Sequence, residues 1–298
     1  MKLVLVVLGL SAVFAENIVP HTAYDYHRNI GVRQAARIRA AENALDFDGS
    51  RIAGGSVANL GQFPSLGGLV ISLNNGATSV CGSSLVSNTH AVTAAHCWFD
   101  GRNQAIQFTV VLGSVRLFAD GTRINTKNVL LHPAYNFQNA NNDVALITID
   151  RVTFSNTINR INLATGSNQF VGTLARAAGF GRTGDDVGIS TAQVLSHVEV
   201  QVISNAECRQ TFGSNILTSS ICTSGANGRS PCGGDDGGPL QVGNTLVRIY
   251  KGTDDKSSDG RVVKYRGLRR DQSQVKVLGA RAPLTKKFIM CAFIAAPR

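Results

Sequence analysis

Between residues 52 and 247, short apolar runs recur among clusters of Gly, Asn, Ser and Asp, at 69–73, 108–112, 144–149, 173–178 and 198–203. Runs of this length, bounded by turn-forming residues, predict strands of an antiparallel barrel or sandwich. No internal repeat is visible. Two stretches depart from the pattern. Ala and Arg predominate over 32–45, which predicts a helix inside a polar stretch, 16–51, that reads as detachable. Beyond Val247, residues 250–264 are polar and charged, and 264–287 thread basic residues through short apolar pieces with neither strand nor helix period. This tail is not expected to fold with what precedes it.

The first fifteen residues carry one early cation, Lys2, then an apolar stretch and a small-residue ending at Ala15. That layout predicts a secretory signal peptide, and hence an extracellular protein. The expected division is therefore a leader over 1–15, a propeptide over 16–51, a globular domain over 52–247 and a disordered basic tail over 248–298.

Composition sharpens this picture. With 298 residues, 43% hydrophobic and 16% charged, the chain can bury a substantial core. Its 31 glycines and 6% aromatic content favour a turn-rich β protein over a helix bundle. Apart from the leader, no apolar run approaches the roughly 18 residues that cross a bilayer, so no membrane association is expected. The net charge of +10 would suggest a polyanion partner if it were evenly spread. It is not: residues 248–298 hold thirteen Lys and Arg against four Asp and Glu, whereas residues 52–247 hold ten of each. The globular region thus has no general electrostatic reason to bind nucleic acid. The six cysteines form no Cys-x-x-Cys pair, so a cystine framework is expected and a metal site is not.

Three short segments carry candidate chemistry: Thr93-Ala94-Ala95-His96-Cys97, Asn142-Asp143-Val144-Ala145-Leu146, and Cys232-Gly233-Gly234-Asp235-Asp236-Gly237-Gly238-Pro239. In that order, with Arg51-Ile52-Ala53-Gly54-Gly55 ahead of them, they strongly resemble the chymotrypsin-like, trypsin-fold serine proteases. In style they are closest to insect digestive chymotrypsins. The resemblance runs from Arg51 to about Val247. It implies an all-β fold of two packed six-stranded antiparallel barrels with a cleft between them. The second barrel would be incomplete, because no substrate-pairing strand or C-terminal helix is recognisable after Val247.

By the same resemblance His96 is the general base and Asp143 the carboxylate that orients it, while the N–H groups of Gly234 and Asp236 form the oxyanion hole. Cleavage after Arg51 by a trypsin-like protease would free the Ile52 ammonium to pair with Asp235. Ser230, six positions before the nucleophile position, would floor a pocket without a carboxylate and so favour large apolar or aromatic side chains. Cys81 would pair with Cys97 and Cys208 with Cys222, each bond contributing roughly 3 kcal/mol. Cys232 is left either free or joined to Cys291.

The departure is at the nucleophile. Asp236 stands where this family has serine. A carboxylate beside His96 pairs with an imidazolium and repels the oxyanion that the neighbouring N–H groups are meant to hold. The expectation is thus a secreted, monomeric endopeptidase of chymotrypsin type, of the gut lumen by lineage, acting on protein substrates without cofactor or metal and met by protease inhibitors, but silent with Asp236 in place. The alternative is a non-catalytic homologue that binds protein partners or inhibitors through a retained cleft. A third reading has the basic tail binding anionic surfaces.

Overall fold

The computed structural model describes residues 23–44, 56–181, 194–213, 216–226, 231, 233–251 and 262–266, the last stretch and Phe212 by backbone alone. A π-turn over His27–Gly31 leads into helix α1 (Val32–Asn43). The strands follow in chain order as β1 (Ser56–Val57), β2 (Leu66–Leu73), β3 (Thr78–Ser87), β4 (His90–Thr93), β5 (Ala105–Leu112), β6 (Thr122–Thr126), β7 (Val129–Leu131) and β8 (Ala145–Thr148). Then come β9 (Asn162–Leu163), β10 (Leu174–Gly179), β11 (Ser196–Ile203), helix α2 (Asn205–Phe212), β12 (Ser220–Ser224), β13 (Pro239–Val242), β14 (Thr245–Tyr250) and β15 (Val262–Arg266).

These strands make two sheets, antiparallel but for the pairing of β9 with β14, the all-β double-barrel arrangement that the resemblance implies. The first runs β6-β5-β2-β3-β4-β8-β7. All five apolar runs read from the sequence fall largely within strands, and where they alternate one side is sent inward. In β11, Val198, Val200 and Val202 are buried while Glu199 and Gln201 face solvent. One core, built around Leu69, Ile71, Leu85, Phe108 and Ile147, fills the first barrel. Another, containing Val200, Ile221, Leu240 and Tyr250, fills the second. Helix α2 starts where the Ser204 hydroxyl accepts from the Glu207 N–H, satisfying a donor that the first turn would otherwise leave open.

The second sheet corrects the boundary expected at Val247. Strand β14 continues to Tyr250, and β15, drawn from the basic tail, pairs with both β12 and β14. The sheet runs β11-β10-β13-β14-β15-β12 and returns to β11. Three of its joints, β10 to β13, β14 to β15 and β11 to β12, consist of only two residue pairs each, so this barrel is thinly closed. The tail's charge concealed the strand. Arg248 is buried with its guanidinium donating to the carbonyls of Val247 and Ser219, both at 2.8 Å, so a basic residue here does not mean an exposed one.

The helix expected near 32–45 forms as α1, but it is no loose appendage. Ala35 and Ile38 are buried in a third apolar cluster with Leu66, Val80, Ala178 and Phe180, which joins the two sheets. The sheets also touch directly at Gly82, whose N–H donates to the Asp236 carbonyl at 2.7 Å. A Cβ at Gly82 would lie 2.8 Å from the Gly238 Cα and 2.9 Å from its nitrogen, both backbone atoms that cannot swing aside. Gly82→Ala is therefore expected to destabilise the chain by about 2 kcal/mol. An unchanged urea midpoint would show that the barrels do not meet there.

Candidate active site

His96 sits in a 3₁₀ turn, Ala95–Cys97, immediately after β4. The disulfide from Cys97 to Cys81 ties that turn to β3, and a second disulfide joins Cys208 to Cys222. Both pairings are those implied by the resemblance. Asp143 lies just before β8, where it meets His96 at two points. The His96 backbone N–H donates to its Oδ1 at 2.9 Å, and the ring Nδ1 lies 2.7 Å from its Oδ2. One carboxylate thus fixes both the main chain and the ring, which sets the tautomer and the orientation of the imidazole.

Asp236 occupies the turn before β13, held by the Gly82 N–H on its carbonyl and by the Gly237 N–H on the Tyr250 carbonyl. Gly237 adopts φ +81°, and a Cβ there would run into the Gly82 carbonyl at 2.6 Å, so the turn requires glycine. The Asp236 Oδ1 lies 3.7 Å from the His96 Nε2. The structure therefore brings His96, Asp143 and Asp236 together, all three buried, with His96 only 2% and Asp236 only 1% exposed.

Sequence reasoning missed a fourth charged group. Lys251, at the end of β14, is buried with its Nζ 3.0 Å from the Ala140 carbonyl and 3.5 Å from the Asp143 Oδ2. Its only sequence signal is a cation directly after an apolar run, inside the stretch that reads as basic tail. The result is a row of alternating charge, Lys251, Asp143, His96 and Asp236.

The electrostatics follow from this row. Burial by itself lowers the His96 pKa, but the charge and hydrogen bond of Asp143 and the charge of Asp236 outweigh burial and raise it, against opposition from Lys251. For Asp143, burial acts upward, and His96 and Lys251 overcome it, holding the carboxyl well below the usual carboxylate range.

A second residue missed from sequence is Tyr26. Its ring centroid lies 4.4 Å from that of His96, and its hydroxyl donates to the Val80 carbonyl at 2.9 Å. Burial raises the Tyr26 phenol well above its ordinary value, and the charges of Asp236 and Asp235 and a side-chain hydrogen bond with Asp236 add to that rise.

Gly234, expected to supply an oxyanion N–H, is at φ +101° with Gln34 packed beside it. Asp235 accepts from the Gly181 N–H at 2.7 Å. Arg51, Ile52, Ser230, Cys232 and Cys291 lie outside the described residues. Cys81, Cys97 and His96 place candidate donor atoms within 4.8 Å of one another, but the two sulfurs are bonded to each other and are not available as a thiolate pair.

The family model described as Trypsin matches residues 52–266, a span that includes β15. The chain is 35% identical over 203 residues to a collagenase of Hypoderma lineatum, covering 67% of this chain and 75% of that protein. It is 32% identical over 220 residues to the alkaline C trypsin of Manduca sexta, covering 70% and 84%. Among solved structures it is similar to HL collagenase, with a TM-score of 0.66 and 31% identity over 72% of this chain and 93% of that one. It also shares its fold with the scabies mite inactivated protease paralogue S-D1, at a TM-score of 0.62 and 18% identity.

Proposed function

This chain belongs to the trypsin family, and we propose that within it the chain is a secreted, chymotrypsin-type member whose cleft holds polypeptide but does not hydrolyse it. The observation that carries this reading is the buried Asp236 carboxylate 3.7 Å from the His96 Nε2. In a serine enzyme that nitrogen takes the proton of a hydroxyl. Here it faces an anion and, with Asp143 on its other side, favours the imidazolium, which has no lone pair left to accept a proton. Attack by the carboxylate itself would expel an amine to form an anhydride, a higher-energy acyl product than an ester. Its charge would also oppose the oxyanion developing next to it.

The other family features keep their proposed roles. Cleavage after Arg51 by a trypsin-like protease presents Ile52 to Asp235, the N–H groups of Gly234 and Asp236 face a bound carbonyl, and Ser230 floors a pocket for large apolar side chains. The partners are protein chains and protease inhibitors, met outside the cell.

The test is activity after activation. The chain cut after Arg51 by trypsin, then freed of trypsin, is expected neither to hydrolyse chromogenic Phe or Tyr peptides nor to label with a serine-directed phosphonate. Asp236→Ser in the same preparation is expected to gain labelling. Turnover by the unsubstituted chain, above that of an Asp236→Ala control, would overturn the reading.

A further inference from the structure

The groups that ought to receive a substrate are covered by another part of the same chain, residues 23–44. We propose that this segment is the cleft's own ligand, a folded plug that stays bound when the connection between Asn43 and Ser56 is cut. The inference goes beyond the silent site and does not depend on whether that site can cut.

The segment is held along its whole length. At its start, the Ala23 N–H donates to the Phe137 carbonyl at 2.9 Å and the Asp25 N–H to the Asp100 carbonyl at 3.1 Å. The Asp25 carboxylate is met by Arg102 at 3.4 Å and by the Asn103 amide at 3.1 Å. Next, Tyr26 lies over the His96 ring, with its hydroxyl donating to the Val80 carbonyl. The His27 N–H donates to the Asp100 Oδ2 at 2.9 Å, and its Nδ1 is 2.8 Å from the Ser79 hydroxyl. Gly31 passes so close to β3 that a Cβ there would fall 2.0 Å from the Ser79 Oγ.

The helical half then crosses to the other barrel. Gln34 packs beside Gly234, with its Cβ and Cγ 3.4 Å from where a Cβ of that glycine would sit. Ile38 is fully buried between residues of both sheets, among them Val80, Val111, Ala178 and Phe180. At the far end the Glu42 carboxylate accepts from the backbone N–H groups of Leu117 and Phe118, and the Arg39 guanidinium lies 4.5 Å over the Phe118 ring.

This is the anatomy of a specific interface rather than of a connecting strand. A buried aromatic and aliphatic centre is flanked by satisfied polar contacts at both ends. The occupant has a definite chemistry: an apolar Tyr-to-Ile face with an acidic group at each end.

The experiment cuts the connection without cutting the plug. Trypsin would also attack at Arg28, Arg33, Arg37 and Arg39, so residues 46–50 are replaced by the recognition sequence of a site-specific protease. After cleavage, the N-terminal fragment is expected to co-elute one to one with the body on gel filtration at micromolar concentration. Tyr26→Ala is expected to weaken retention about tenfold or more, and Ile38→Asp to abolish it, while the body's melting behaviour in the absence of fragment is the same for all three. Separation of the unsubstituted fragment at micromolar concentration would overturn the proposal, as would full retention of both substituted fragments. Either result leaves the silent-site reading untouched.

Discussion

Asp143→Ala is expected to destabilise the folded chain by about 3–5 kcal/mol. The Asp143 carboxylate is the one anion between two buried cationic groups, with the His96 ring at 2.7 Å and the Lys251 ammonium at 3.5 Å, and it also accepts the His96 backbone N–H at 2.9 Å. Removing it leaves Lys251 and His96 facing each other across a dry space, with only Asp236 to balance them. Breaking a buried ionic group by deleting one member costs more than the group contributes as a whole, because desolvation has already been incurred by those that remain. For a domain of this size the melting temperature is expected to fall on the order of 10 °C. The paired change Asp143→Leu with Lys251→Met removes both charges together and is expected to recover much of the loss, since coupled neighbours are not additive. A melting shift under about 2 °C for Asp143→Ala would show that the row of charges is not a structural unit.

The same row shows what could be read from sequence and what could not. His96 and Asp143 were legible because each sits in a short motif whose neighbours identify it. Asp236 was legible as a departure for the same reason, and the inward-facing valines of β11 were legible because alternation is a local property. Lys251 reaches the Ala140 carbonyl across 111 positions, and Tyr26 reaches the Val80 carbonyl across 54. No local pattern encodes such contacts. The segment 23–44 looked detachable because Arg33, Arg37 and Arg39 dominate its composition, yet burial depends on the narrow stripe of Ala35, Ile38 and Ala41 between them. The tail beyond Val247 misled in the same way. Net charge over fifty residues describes solubility and long-range attraction, and it cannot exclude one five-residue strand pairing through its backbone.

Mild acid is expected to loosen the plug, and the group responsible is His27. Its side chain is fully buried, with Nδ1 on the Ser79 hydroxyl, and the groups facing it are Asp100, His96 and Asp25. Burial lowers its pKa to about 4, His96 adds to the lowering, and Asp100 and Asp25 only partly offset it. A histidine with a depressed folded value contributes stability that is fully present above its unfolded pKa of about 6.5 and is lost as pH falls toward its folded value. Docking of residues 23–44 should therefore weaken roughly tenfold per pH unit below about 6.5, approaching a total near 3 kcal/mol by pH 4. Two other groups act in separable ways. His96, with its raised value, contributes stability below about 6.5 that is lost only as pH rises through its folded pKa, so it opposes nothing on the acid side. Glu42 is raised by burial, which backbone hydrogen bonds from Leu117 and Phe118 only partly counter, so its own titration favours the docked segment slightly at lower pH. The effect of His27 is therefore read between pH 6.5 and 5.5, above the ordinary carboxylate range. Retention of the cut fragment, measured at half-unit steps across that window, should fall for the unsubstituted chain and stay flat for His27→Gln, whose neutral amide can still reach Ser79. An equal slope in both would assign the acid response to another group and remove His27 from the account.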